Sequence, residues 1–304
     1  MKDKLKKLNS YLLLVRPANI VTSVSDVLAG IAISGIFLQW TLDGLLDQGV
    51  ISSILLLSLS TICLYAGGIV FNDVFDYNLD KIERPERVIP SGKMSLKEAS
   101  RLGSTLLAFG ILFALWVNSS AGWLAVLISI AALVYNKFGK HHPLLGPPNM
   151  GLCRGLNLLL GISILPERIW EIWYVAIVPI LYISAITMIS RGEVHGSNRK
   201  PLYGAAALYV VVIGMILLFA WNMNMVGFAF LFLLAFAMMI FKPLLKAINE
   251  PTGPAIGKSV KAGVIALILM NAAWAASAGA WEPALFIVAL LPLSIWLSKK
   301  YAVT

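Results

Sequence analysis

Asn72, Asp73, Asp76 and Asp80 stand within nine residues of one another at the exit of a long apolar run. On a helix, Asn72, Asp76 and Asp80 fall at i, i+4 and i+8, one above another, with Asp73 at the flank of the same broad face. Oxygen ligands sharing a face suit Mg²⁺, which takes one or two carboxylates together with substrate phosphates rather than an all-protein cage. Acids crowded at the end of an apolar segment repel one another unless a metal or basic groups offset them. A basic strip follows directly, Lys81-Ile82-Glu83-Arg84-Pro85-Glu86-Arg87-Val88-Ile89-Pro90-Ser91-Gly92. Its two prolines and its glycine forbid simple helical continuation, and Arg84 and Arg87 can grip phosphate oxygens bidentately. The chemistry predicted is a divalent cation holding a phosphorylated ligand at a membrane surface.

The elements that must position these groups are apolar segments. Of 304 residues, 59% are hydrophobic and only 13% charged, about half the charged fraction of a soluble domain. Apolar runs at 18–38, 50–75, 99–117, 121–137, 148–165, 170–190, 202–221, 225–242, 260–279 and 282–298 each approach the ~17–25 residues that cross a hydrocarbon core. The last contains Pro292, so the expected count is nine or ten. Helices satisfy their own backbone hydrogen bonds in lipid, and the short alternating segments of a barrel are missing. The reading is an all-α integral membrane bundle forming one domain over residues 1–304, with the first span retained rather than cleaved.

Charge orients that bundle. In a ten-span arrangement, 22 of the 24 lysines and arginines fall on one side, Arg168 on the other, and Arg154 inside a span. The positive-inside rule puts the basic side and both termini in the cytoplasm, in a cell inner membrane or its equivalent. The net charge of +9 is therefore topological, and nucleic acid is excluded as a partner. Cys63 and Cys153 both lie within apolar segments, which argues against a disulfide scaffold or a thiolate metal site. The long connections 76–98, 138–148, 191–201 and 243–259 all fall on the cytoplasmic side, so chemistry is expected there.

At these residues a family resemblance becomes specific. Asn-Asp-x-x-Asp-x-x-x-Asp at 72–80, followed by Pro-x-Arg and Ile-Pro-Ser-Gly, resembles the first signature of the UbiA superfamily of intramembrane prenyltransferases. The resemblance implies a helical bundle of nine or ten spans around a central cavity open to the cytoplasmic side. It also implies Mg²⁺ and an isoprenyl diphosphate whose prenyl group passes to a lipophilic, aromatic or other acceptor. By resemblance, Asn72, Asp73, Asp76 and Asp80 are metal-facing and Arg87 approaches diphosphate. The family's second signature, two aspartates about four residues apart, corresponds here to Arg191-Gly192-Glu193-Val194-His195-Gly196-Ser197-Asn198-Arg199-Lys200. Glu193 stands for the first aspartate as catalytic group and metal ligand, while Ser197 and Asn198 bring oxygens without charge. The second cation is then held chiefly when diphosphate supplies its own charge.

Other polar residues complete the candidate set. His195 either donates to phosphate or accepts a proton near neutral pH, or is a hydrated loop histidine. Arg154 and Asn157 lie three apart in the fifth span, where an arginine must face the bundle interior or the interface. Arg154 is read as a diphosphate or acceptor contact, or alternatively as a salt-bridge partner, with Asp26 the candidate. Asn19 is placed at the cytoplasmic end of the first span. Lys140 lies on the cytoplasmic rim, where contact with anionic membrane lipids is its simplest role. The preferred function is Mg²⁺-dependent prenyl transfer. The rivals are membrane terpene cyclisation and non-catalytic binding or transport of an isoprenoid.

Overall fold

The computed structural model describes residues 2–38, 48–139, 142, 145–192 and 198–301. Thirteen α-helices occur among them: α1 (Lys2–Val15), α2 (Pro17–Ile33), α3 (Gln48–Phe75), α4 (Tyr77–Glu83), α5 (Leu96–Val117), α6 (Ser119–Val134), α7 (Gly146–Ile162), α8 (Pro166–Ile172), α9 (Ile177–Ser190), α10 (Arg199–Asn222), α11 (Val226–Asn249), α12 (Gly253–Ser277) and α13 (Trp281–Lys300). No strand occurs among the described residues. Among the described residues, eight spans are long and apolar enough to cross a membrane, or nine when α1 and α2, bent by 52° at Arg16, count as one. The chain is a multi-pass membrane protein.

Every apolar run predicted from the sequence carries a helix, with three departures. The span at Pro292 is continuous through α13, whereas the short member is α7, whose 17 residues reach only about 26 Å. The run at 170–190 is α8 and α9 joined by a 3-10 turn, Trp173–Ala176. The first run stops being α-helical at Ile33, with Gly35 at φ +85° leading into a 3-10 turn, Ile36–Leu38. α5 and α6 are separated by Asn118 alone, and α10 and α11 by residues 223–225. Asn118 ends α5 and caps α6, its side chain accepting from the Ala121 amide at 2.8 Å. Trp123, Trp170, Trp173 and Trp281 are all exposed, where their amphipathic rings suit the membrane–water interface.

Two helices form the middle. Some 83% of the apolar stretch of α12 is buried, against 22% for α5 and α13, so α12 is interior while the others face lipid. α2 packs against α3, α7, α12 and α13. Its approach to α7 is backbone-close: a Cβ on Gly30 would sit 2.1 Å from the Leu158 carbonyl oxygen, and one on Gly161 would sit 2.1 Å from that of Val27. Small residues at such crossings let helices touch where no hydrophobic effect drives them together.

The same three helices are cross-linked by a buried carboxylate. Asp26 of α2, 1% exposed, accepts from Arg154 Nη1 at 2.7 Å and Asn157 Nδ2 at 3.2 Å on α7, and from Asn271 Nδ2 at 2.8 Å on α12. Arg154 Nη2 donates further to Thr22 Oγ1 (2.7 Å) and Tyr65 Oη (3.0 Å), which brings in α3. A buried ion pair is a weak source of net stability, but removing one partner strands a charge in apolar surroundings. Asp26→Ala should therefore cost about 3–5 kcal/mol, read as a lowered unfolding midpoint in detergent, and the double change Asp26→Leu/Arg154→Met should recover most of it. Gly161→Val should also cost about 1–3 kcal/mol and lower that midpoint, since the new side chain overlaps the backbone of α2.

Candidate active site

A cavity of about 470 Å³ runs between α2, α3, α6, α7, α9 and α12. Its lining is segregated. One end holds Arg16, Asn19, Asn72, Asp76, Asp80, Glu83, Arg84 and Arg87; the rest is largely apolar, with Leu64, Ile69, Ile128, Ile186, Val264 and Leu267. The polar end is built from the start of α2, the end of α3, α4 and the loop after it.

Local backbone structure explains how the acids reach one wall. The helix does not run unbroken through them: α3 ends at Phe75, and Asp76, at φ −84° and ψ −1°, precedes α4. The i+4 bonds nevertheless persist across the break, with the Asp76 amide donating to the Asn72 carbonyl and the Asp80 amide to that of Asp76. The predicted alignment of Asn72, Asp76 and Asp80 thus survives without a continuous helix, and all three line the cavity. Asp73, expected with them, is 5% exposed and not among the lining residues. Its carboxylate is held by Arg16 Nη2 at 2.8 Å, with Arg87 Nη1 3.6 Å away.

The arginines are positioned by these acids. Arg87 bonds both oxygens of Asp80, at 3.0 and 2.7 Å, a charge-assisted contact that fixes the loop after α4 against the helix end. Arg16 occupies the left-handed region at φ 48° and ψ 72° just before Pro17, an unfavourable conformation for a non-glycine residue. The Asp73 contact anchors the side chain of that bend. Arg84 lines the cavity and is exposed. Asn72 donates from Nδ2 to Asn136 Oδ1 at 3.0 Å, and Asn136 donates to the Gly68 carbonyl at 2.8 Å. The pairing uses the Asn72 amide nitrogen and not its side-chain oxygen.

The remaining candidates divide. Asn19, Arg154 and Asn157 line the cavity, but Arg154 is spent on protein partners: Asp26, Thr22, Tyr65 and the face of the Tyr65 ring at 4.7 Å. Of the two readings of Arg154, the geometry has the salt bridge. Asn198 is exposed, lies away from the cavity lining, and caps α10 by accepting from the Lys200 amide at 3.3 Å. Lys140, Glu193 and His195 lie outside the described residues. Sequence reasoning missed Arg16, Thr61, Tyr65 and Asn136 in the cavity wall, and Asn271 behind it. Asn136 and Asn271 carried a signal, since an amide inside an apolar span needs a partner. Arg16 carried none beyond its place before a proline.

The donor set can be tested against Mg²⁺. Among the described residues, no three acids, histidines or cysteines converge into a cage. Asn72, Asp76, Asp80 and Glu83 do share one wall of a cavity beside three arginines, and a hard cation that keeps part of its coordination for substrate phosphates needs only one or two such carboxylates. The residues fit a cation delivered together with a phosphorylated ligand, and do not fit a stand-alone site.

The profile of the UbiA prenyltransferase family matches residues 28–259. The digeranylgeranylglyceryl phosphate synthase of Ignicoccus hospitalis is 33% identical over 191 residues, 62% of this chain and 59% of the relative, so less than two thirds of that relative is spanned. That of Methanocaldococcus jannaschii is 27% identical over 283 residues, 88% of this chain and 94% of the relative. Among solved structures, a UbiA homolog from Archaeoglobus fulgidus bound to GPP and Mg²⁺ superposes with a TM-score of 0.60 at 15% identity, covering 83% of this chain and 99% of its own. The profile spans well over half the chain, from α2 to α12, and the chain therefore belongs to the UbiA prenyltransferase family.

Proposed function

We propose that the protein transfers the prenyl group of an isoprenyl diphosphate to a lipophilic acceptor in the membrane, with Mg²⁺ as cofactor. The observation that carries this reading is the segregated cavity: carboxylates and three guanidiniums at one end, a largely apolar wall along the rest. An isoprenyl diphosphate has the same division. The polar mouth opens to the cytoplasm, because it is built from the helix ends joined by the basic connections and basic connections stay inside. Both termini lie on that side, in a cell inner membrane or its equivalent.

Asn72, Asp76 and Asp80 hold the cation, with Glu193 a further ligand and Asp73 acting through Arg16 and Arg87. When bound, Mg²⁺ draws off the negative charge that gathers on the departing diphosphate. Arg84 and Arg87 bind the diphosphate oxygens, with Asn19 beside them in the cavity wall; Lys140, His195 and Asn198 are carried as further substrate contacts from the sequence alone. Breaking the allylic C1–O bond sends its electron pair to diphosphate. The apolar wall keeps water from the carbon left behind, which would otherwise be hydrolysed. The acceptor oxygen forms the new C–O bond and its proton leaves with the diphosphate. For the acceptor, the names of the relatives favour a glyceryl phosphate lipid over the aromatic ring expected from sequence.

The test uses purified protein in lipid, Mg²⁺, labelled prenyl diphosphates, and either a prenylglyceryl phosphate or 4-hydroxybenzoate as acceptor. Label should pass to the glyceryl phosphate only with Mg²⁺, and Asp76→Ala should lower the rate at least about 10²-fold, the scale of losing one electrostatic stabiliser. Diphosphate bound but never released would support a non-catalytic carrier instead, and a hydrocarbon product without acceptor would support cyclisation. For topology, a fluorescent protein fused after Thr304 should light up, while a periplasmic phosphatase at the same place should stay inactive.

A further inference from the structure

Arg87 and Asp80 each have a ligand to bind in the mouth, yet each is already engaged by the other. A single nitrogen, Arg87 Nη1, lies 3.0 and 2.7 Å from the two oxygens of Asp80. The Asp80 side chain is only 5% exposed, so a cation that takes this carboxylate contends with the guanidinium for the same oxygens. Two like charges on one buried carboxylate repel strongly, because protein screens them less than water does. The arrangement also supplies a way out. Arg87 Nη2 and Nε make no hydrogen bond among the described residues, and the residue lines the cavity. Two donor groups of the fork therefore remain for phosphate oxygens. Asp73 Oδ1 lies 3.6 Å from the same Nη1, a second carboxylate behind the cavity wall. The guanidinium can leave Asp80 without being stranded as an unpaired charge. Its backbone is held, since Val88 and Ile89 are buried in an apolar cluster with Leu14, Val70 and Met94. Movement is confined to the side chain.

We propose that Arg87 couples the two ligands of the mouth: it guards Asp80 against a divalent cation until a diphosphate draws the guanidinium away. The inference rests on the reading of this cavity as a cation and isoprenyl diphosphate site. While Arg87 stays on Asp80, the pair is nearly neutral and holds a lone cation weakly. Nη2 and Nε meet the phosphate oxygens first, and Arg87 then trades Asp80 for phosphate. Asp80 is released at the moment when a phosphorylated ligand is present to share the cation. By linkage, each ligand tightens the other by the same factor. Arg84 and Glu83 mark the contrast. Both line the same mouth, and neither has an ion-pair partner among the described residues. They bring the same charges without taking part in the exchange.

The experiment measures both affinities on purified full-length protein in zwitterionic lipid. Mn²⁺ stands in for Mg²⁺ and is read by its electron paramagnetic resonance signal. The diphosphate is a labelled prenyl thiolodiphosphate that does not ionise, with free concentrations corrected for the complex the two form in solution. In the unmodified protein, each should bind at least about fivefold more tightly when the other is present. Arg87→Gln should raise the affinity for Mn²⁺ alone at least about tenfold, lower that for the analogue, and bring the coupling close to one. Arg84→Gln should lower analogue affinity and leave the coupling in place. From the other side, Asp80→Asn releases Arg87 and should tighten the analogue without Mn²⁺ at least about fivefold more than Glu83→Gln does. Size-exclusion elution identifies variants that fold; should Arg87→Gln not fold, the comparison of Asp80→Asn with Glu83→Gln decides. Folded Arg87→Gln with unchanged or weaker Mn²⁺ binding makes Arg87 a loop anchor only and overturns the exchange. So does an Asp80→Asn protein that binds the analogue no more tightly than Glu83→Gln. Coupling that depends on Arg87 in a protein that transfers no label would overturn the transferase reading and leave the exchange standing.

Discussion

One buried carboxylate organises this bundle. Asp26 sits where α2, α7 and α12 meet, and its two oxygens take hydrogen bonds from Arg154, Asn157 and Asn271. In lipid, apolar surface gives helices no strong reason to prefer one neighbour over another. A carboxylate and a guanidinium do, because an unpaired charge there is far costlier than a paired one. Arg154 in turn holds Tyr65 in the wall, and Asn157 holds Thr61 there. The geometry of the cavity is thus inherited from an interaction that lies mostly behind it.

The mouth obeys a different electrostatic rule. Three arginines, Arg16, Arg84 and Arg87, stand among four carboxylates, Asp73, Asp76, Asp80 and Glu83. Two of these acids are engaged in positioning arginines: Asp73 holds Arg16, and Asp80 holds Arg87. The near balance of charge means that neither a bare diphosphate nor a bare divalent cation is strongly favoured alone. A cation and diphosphate arriving together keep the balance. The same geometry explains why no self-sufficient metal cage occurs among the described residues.

Much of this was legible in the residues. Apolar run length is a direct record of hydrocarbon thickness, so the order of the apolar helices followed from sequence, while the expected count of nine or ten exceeds the eight or nine found among the described residues. The i+4 spacing of Asn72, Asp76 and Asp80 was legible for the same reason, since it depends only on local helical pitch. Asp73 is placed apart from that set in the cavity lining, since residues adjacent in sequence differ by about 100° around a helix. That turns its side chain to Arg16, a residue 57 positions away.

What the sequence determined by itself was local or additive: spans, charge asymmetry, and one acidic face beside a basic strip. Which partner each buried polar group chose was left to the tertiary structure. Asp26 and Arg154 are 128 residues apart, and Asp26 and Asn271 are 245 apart. A lone polar residue in an apolar span announces that it must be satisfied, but carries no record of by whom. That choice depends on helix azimuth and depth, which are set only when α2, α7 and α12 pack at their glycine contacts and all the buried bonds close together.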